Sequence, residues 1–136
     1  MTHKLSTQTS AFLARPRPFL IDGNWRDGTD APLDAIDPAT GAIFGAAQVA
    51  TAADLDAAVT AARTAFADRR WRGRTPAERQ RILLCIADLI ERDAVLLAEL
   101  ETLNGGKPFA AALHGEVAHA AETFRYYAGW VTKIDG

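Results

Sequence analysis

A mostly helical chain with short β-hairpin strands is what this sequence predicts, and three observations predict it. Apolar residues recur at helical spacing through four or five segments after residue 51. Two of those segments open on a hydroxyl cap with a carboxylate three residues on, at Thr51-Ala52-Ala53-Asp54 and Thr75-Pro76-Ala77-Glu78. Before them lie only short apolar runs split by turn residues, at Asp22-Gly23 and at Asp37-Pro38-Ala39-Thr40-Gly41. Taken alone, this pattern is a helical bundle carrying a β-hairpin.

Residues 1–18 carry Lys4, Arg15 and Arg17, several hydroxyl residues and no acid, and read as a disordered leader. Phe19-Leu20-Ile21 and Asn24-Trp25 then flank Asp22-Gly23, a pair that accepts positive φ, and form a small hairpin. Leu33–Ile36 and Ala42–Val49 flank the second turn, where Pro38 pre-sets φ and Gly41 closes. Leu55, Ala58, Val59, Ala62 and Phe66 mark one face of a helix running to about Asp68, and Arg69–Arg74 reads as a solvated connection. From Thr75 a helix follows with Leu83, Ile86, Ala87 and Ile90 on its apolar face.

Asp93 is placed to cap the next helix, whose Leu97, Leu100 and Leu103 face inward while Glu99 and Glu101 are solvated. Asn104 and Gly105 tolerate a left-handed cap, and Pro108 forbids continuation. A last long helix takes its spacing from Leu113, Val117, Ala121, Phe124, Ala128 and Val131. Within it, Tyr126 and Trp130 share a face, and Gly129 leaves room for a neighbouring element.

The 136 residues are 49% hydrophobic, and 15 basic against 17 acidic residues give a net charge of −2. That balance supplies no broad basic field, so no nucleic-acid partner is expected. No run approaches the ~20 apolar residues of a membrane span, so no membrane partner is expected and the chain is read as cytoplasmic. The single cysteine, Cys85, excludes an internal disulfide. It lies in Ile82-Leu83-Leu84-Cys85-Ile86-Ala87 and reads as a buried structural residue rather than a nucleophile.

Three further patterns invite a chemical reading and lack the required spacing. His114 and His119 stand five apart, where a zinc pair on one helix face needs four. Gly105-Gly106-Lys107 resembles the end of a phosphate loop, but Glu101 stands where the first glycine belongs and Pro108 where a hydroxyl belongs. No G-x-G-x-x-G occurs.

Four ordered stretches carry a family resemblance. They are Ile36-Asp37-Pro38-Ala39-Thr40-Gly41, Trp71-Arg72 before Glu78-Arg79, Leu100-Glu101-Thr102-Leu103-Asn104-Gly105-Gly106-Lys107-Pro108, and Arg125-Tyr126-Tyr127-Ala128-Gly129-Trp130. Together they resemble the N-terminal segment of the NAD(P)-dependent aldehyde dehydrogenases. The resemblance implies an α/β, aldehyde dehydrogenase-like fold present as an N-terminal fragment, with residues 19–136 an incomplete Rossmann-type cofactor-binding domain. It also implies an enzyme that oxidises an aldehyde to a carboxylic acid with NAD or NADP. In the family a cysteine thiolate attacks the aldehyde and a glutamate activates the water that releases the acid.

Both groups lie downstream of any segment present here, so the resemblance implies no catalytic or cofactor-binding residue in this chain, no cofactor bound by it alone, and no activity alone. By the same resemblance, Glu116 and His119 border the mouth of the aldehyde tunnel. The backbone carbonyls of Ile36 and Asn104 fall on positions that hold a monovalent cation, and homo-oligomer contacts are expected from elements after Gly136. The alternative is a non-catalytic interaction module or truncated remnant that docks its unburied helix faces on a partner.

Overall fold

The structure, a computed structural model, describes residues 4–134. Helix α1 (Thr7–Leu13) comes first, followed by an antiparallel ribbon of β1 (Phe19–Ile21) and β2 (Asn24–Arg26) and a second of β3 (Leu33–Ile36) and β4 (Ile43–Ala47). Then come α2 (Ala52–Ala67), α3 (Arg69–Arg72), α4 (Pro76–Arg92) and α5 (Ala94–Gly105). The last helix is built from α6 (Phe109–Ala111), a π-helical stretch at Ala112–Val117, and α7 (Ala118–Trp130).

Local chemistry accounts for most of these boundaries. Asp22 and Gly23 have φ of 50° and 77°, the paired positive values that a two-residue hairpin turn needs to match strand twist. The β3–β4 turn is tied by Asp37, whose carboxylate accepts from the Ala39 amide at 2.8 Å and the Thr40 hydroxyl at 2.7 Å. Both capping boxes form: the Thr51 hydroxyl accepts from the Asp54 amide at 3.2 Å while the Asp54 carboxylate accepts from the Thr51 amide at 2.9 Å. Thr75 and Glu78 repeat the exchange at 3.3 and 2.7 Å.

The packed part of the molecule is a helical slab in which α4 runs along α7 and α5 lies against the π-helical stretch. Ala98, Ala112 and Val117 form its core, with Ile90, Ala94, Phe109 and Leu113 packed around them. Ala87 on α4 and Ala121 and Ala128 on α7 are fully buried, small side chains that let two helices approach closely. Arg125 straps the same pair, donating to both Glu91 carboxylate oxygens at 2.6 Å and to Asp88 and Glu122 at 3.1 Å. The guanidinium holds the Glu91 carboxyl below the usual range.

Several expectations are corrected. Residues 1–18 were expected to be a disordered leader, yet their described part contains α1 with Thr9 fully buried. Arg17 exchanges backbone hydrogen bonds with Ala46 and Gln48 at 2.9 and 3.0 Å, which ties the segment to β4. Glu99, assigned to a solvated face, is 1% exposed, while Leu97 is 36% exposed. The reason is a distant partner: the Glu99 carboxylate accepts from the Ser6 amide at 2.9 and 3.1 Å and from its hydroxyl at 2.8 Å.

Cys85, read from the sequence as buried, is exposed on α4. Asp93 makes no cap; its carboxylate is taken by Arg92 at 2.6 and 3.0 Å and by Gln8 at 3.3 Å. Arg69–Arg72 is one helical turn rather than a loop, capped by Asp68. Gly129 faces open space rather than a close neighbour.

The slab does not close on the rest of the chain. Accessible surface is 9546 Å², whereas a compact monomer of this mass exposes about 6,900 Å². None of the 16 residues of α2 is buried, and Phe66 at its end is 76% exposed. Leu20, Trp25, Leu33, Ile36, Ile43 and Leu55 are exposed as well. Apolar faces that the sequence patterns for burial therefore meet solvent.

Candidate functional site

The residues singled out by resemblance gather around the end of α5. Gly106, at φ 73°, forms the left-handed cap and donates its amide to the Thr102 carbonyl at 2.9 Å. The cap falls one residue beyond Asn104 and Gly105, which stay helical. A Cβ on Gly106 would meet Pro38 Cγ at 3.1 Å, so the β3–β4 turn sits directly on this loop. That seating brings β3, with Ile36 at its end, against α5, with Asn104 in its last turn. Carbonyls at a helix C-terminus, Asn104's among them, carry partial negative charge.

Lys107 follows the cap and turns back. Its ammonium donates to Glu101 at 3.3 Å and to Glu116 on the π-helical stretch. Glu116 raises the Lys107 pKa above its ordinary value, and Lys107 in turn lowers that of Glu116. Glu116 is thus a held carboxylate at neutral pH, facing a cleft bordered by Ile90, Leu97 and Ala120.

His119 faces elsewhere. It lines a separate open cleft with Glu122, Thr123, Tyr126 and Tyr127. The structure therefore does not bring Glu116 and His119 into one cavity. Tyr126 packs edge-on to Tyr127, with centroids 5.3 Å apart, and lies 6.2 Å from the Trp130 ring on its own helix face. Among the described residues, no group of three or more His, Cys, Asp or Glu side chains is gathered to hold a metal ion. No described helix is long and apolar enough to cross a membrane.

A dinucleotide site needs parallel strands whose ends feed a helix N-terminus. Both sheets among the described residues are two-stranded and antiparallel, so that parallel-strand motif is not among the described residues. The Ser6–Glu99 clasp is one polar contact that sequence reasoning missed, and the 93-residue separation of its partners left no local signal.

Comparison with known proteins supplies the context. The Aldehyde dehydrogenase family model matches residues 25–136. Putative aldehyde dehydrogenase DhaS of Bacillus subtilis is 41% identical over 137 residues, covering 100% of this chain and 28% of its own length. Human retinal dehydrogenase 2 is 40% identical over 98% of the chain and 26% of its own. The NAD+ complex of a Bacillus cereus aldehyde dehydrogenase superposes with a TM-score of 0.94 at 37% identity, covering 100% of this chain and 28% of that one. The chain thus spans little more than a quarter of the length of the relatives it matches, at their N-terminal end. On the match over residues 25–136 and the shared fold, the chain belongs to the aldehyde dehydrogenase family.

Proposed function

We propose that residues 19–136 serve as the N-terminal part of the cofactor-binding domain of an enzyme that oxidises an aldehyde to a carboxylic acid with NAD or NADP. The observation that carries this reading is the surplus of surface: 9546 Å² exposed, about 2,600 Å² more than a closed monomer of this mass. The surplus includes apolar residues on α2, β1 and β3 that are patterned for contact. A covering layer of sheet and helix accounts for it. The exposed thiol of Cys85 suits a reducing compartment, and we place the enzyme in the cytoplasm.

In this reading Ile36 and Asn104 supply carbonyls to a monovalent cation that steadies the β3–α5 junction. Glu116 and His119 border the substrate path from two sides of the same helix. In the whole enzyme, NAD or NADP would supply the hydride acceptor. The groups present in this chain only shape and support that site, and subunit contacts come from sequence beyond it. The chain alone is inactive.

The test is an absorbance assay at the NADH wavelength, with the purified chain, a panel of aliphatic and aromatic aldehydes, and either nicotinamide cofactor. No aldehyde-dependent signal above blank is expected. Sustained turnover that scales with the concentration of the chain overturns the reading.

A further inference from the structure

Helix α1, strand β4 and helix α5 meet around a groove of about 370 Å³, within the size range of small-molecule pockets. Phe12 and Leu13 of α1, Phe44 of β4, and Leu97 and Leu100 of α5 form its apolar wall. Gly45 lines it too, and a Cβ there would meet Leu13 Cδ2 at 3.0 Å, so the missing side chain lets α1 close on β4. The wall is tied in place from both sides. The Ser6–Glu99 clasp holds α1 to α5, and the backbone bonds of Arg17 to Ala46 and Gln48 hold the following segment to β4. Unlike the open faces of α2, β1 and β3, this groove is built by three elements of the chain itself, and Phe12, Leu13, Phe44 and Leu100 are half-buried in it.

One charged side chain of the wall has no counter-ion. Arg17 is half-buried, its guanidinium lies 4.2 Å from the Phe12 ring centroid, and it donates to the Phe12 carbonyl at 2.6 Å. Among the described residues it forms no ion pair. The other charged residue of the lining, Glu101, does not pair with it and is engaged by Lys107 at 3.3 Å. A guanidinium offers five N–H groups in a fixed planar fork, and a carboxylate accepts two of them in parallel. Arg17 therefore places an unanswered, partly desolvated cation beside an apolar channel.

We propose that this groove binds a medium-chain aliphatic carboxylate, with the carboxylate on Arg17 and the alkyl tail along Phe12, Phe44, Leu97 and Leu100. Charge selects the head group. The lining carries one cation and, in Glu101, one anion, so a monoanion is matched whereas a phosphate dianion leaves a negative charge uncompensated. The wall selects the tail, because Leu and Phe side chains reward apolar contact and give a sugar or a base no hydrogen-bonding partner. The proposal goes beyond the aldehyde-oxidising reading and does not rest on it: of the residues assigned there, only Asn104 lines the groove.

The experiment is isothermal titration calorimetry of the intact chain with sodium octanoate, sodium hexanoate, octan-1-ol and a short peptide ending in a leucine carboxylate, alongside amide chemical-shift mapping with octanoate. Octanoate should bind and shift the Gly45, Leu97 and Leu100 amides. Hexanoate, two methylenes shorter, should bind about tenfold more weakly, and octan-1-ol, which lacks the charge, about tenfold more weakly as well. Arg17→Met, which keeps the apolar stem, should weaken octanoate about tenfold or more and leave octan-1-ol unchanged. The ligand series on the unaltered chain decides the matter even where that variant fails to fold. Absence of octanoate binding, equal affinity for octanoate and octan-1-ol, shifts concentrated on α2 or β1, full octanoate affinity in a folded Arg17→Met chain, or tighter binding of the peptide overturns the proposal.

Discussion

The helical slab and the ribbon half of the molecule both carry apolar stretches and come to opposite ends. In the slab, Ala87, Ala98, Ala112, Val117, Ala121 and Ala128 are buried. From β1 through α2 only Ile21 is buried, while Leu20, Trp25, Leu33, Leu55 and Phe66 face solvent. The slab finds its partners nearby in sequence, since α4, α5, the π-helical stretch and α7 follow one another and fold back. The ribbons and α2 find none of comparable extent. A face patterned for burial is a statement about an assembly, and the assembly need not lie within the same stretch of chain.

This contrast breaks in measurable ways. The largest effect is expected at Glu99, which is buried and holds Ser6: Glu99→Ala should cost about 3 kcal/mol in urea unfolding and strip exchange protection from α1 amides. Protection that survives the substitution would show that α1 is held by something else. Next, Val117→Ala in the slab should cost about 2 kcal/mol. Leu55→Ala, the matching truncation on α2, should cost about 0.5 kcal/mol or less. Equal costs would erase the distinction between the two halves.

At the junction of the halves, Gly106→Ala should cost about 1.5 kcal/mol, because positive φ strains a side chain that also crowds Pro38. Thr75→Ala should remove the α4 cap at about 1 kcal/mol, read as a lower urea midpoint with an unchanged slope.

The smallest effect is a pH dependence. The Thr40 hydroxyl, the Thr51 hydroxyl, the Thr75 amide and Arg125 hold Asp37, Asp54, Glu78 and Glu91, respectively, below the usual carboxylate range. A carboxylate pKa depressed by folding adds stability that is complete above its unfolded value, near pH 4, and is lost as pH falls through the folded value. Unfolding midpoints should be flat from neutrality to mild acid and decline below that. A decline already present at neutral pH would point to a different group.

How much of this was legible in the sequence depends on the reach of each cause. Both capping boxes, the Asp22-Gly23 turn and the inward faces of α4 were readable because their donors, acceptors and periodicities lie within a few residues of each other. The π-helical stretch at Ala112–Val117 was not, since Leu113, Val117 and Ala121 fit an uninterrupted α-helix equally well. Glu99 and Cys85 were misjudged for complementary reasons. One is bonded by a residue 93 positions away, and the other is exposed although it sits in a run of apolar residues on α4. The loop around Lys107 was recognisable as a helix stop, but its bridge from Glu101 to Glu116 arises only once the π-helical stretch brings Glu116 back to it.

The bond between Ser6 and Glu99 bears on the order of events as the polypeptide leaves the ribosome. A seven-residue helix is too short to persist alone in water, so α1 emerges before α5 and remains unformed while some ninety residues follow. Only when α5 has been synthesised and released from the exit tunnel does its carboxylate become available. Of the two partners, the one made earlier is therefore the later to settle, and it closes over residues that can already have begun to pack.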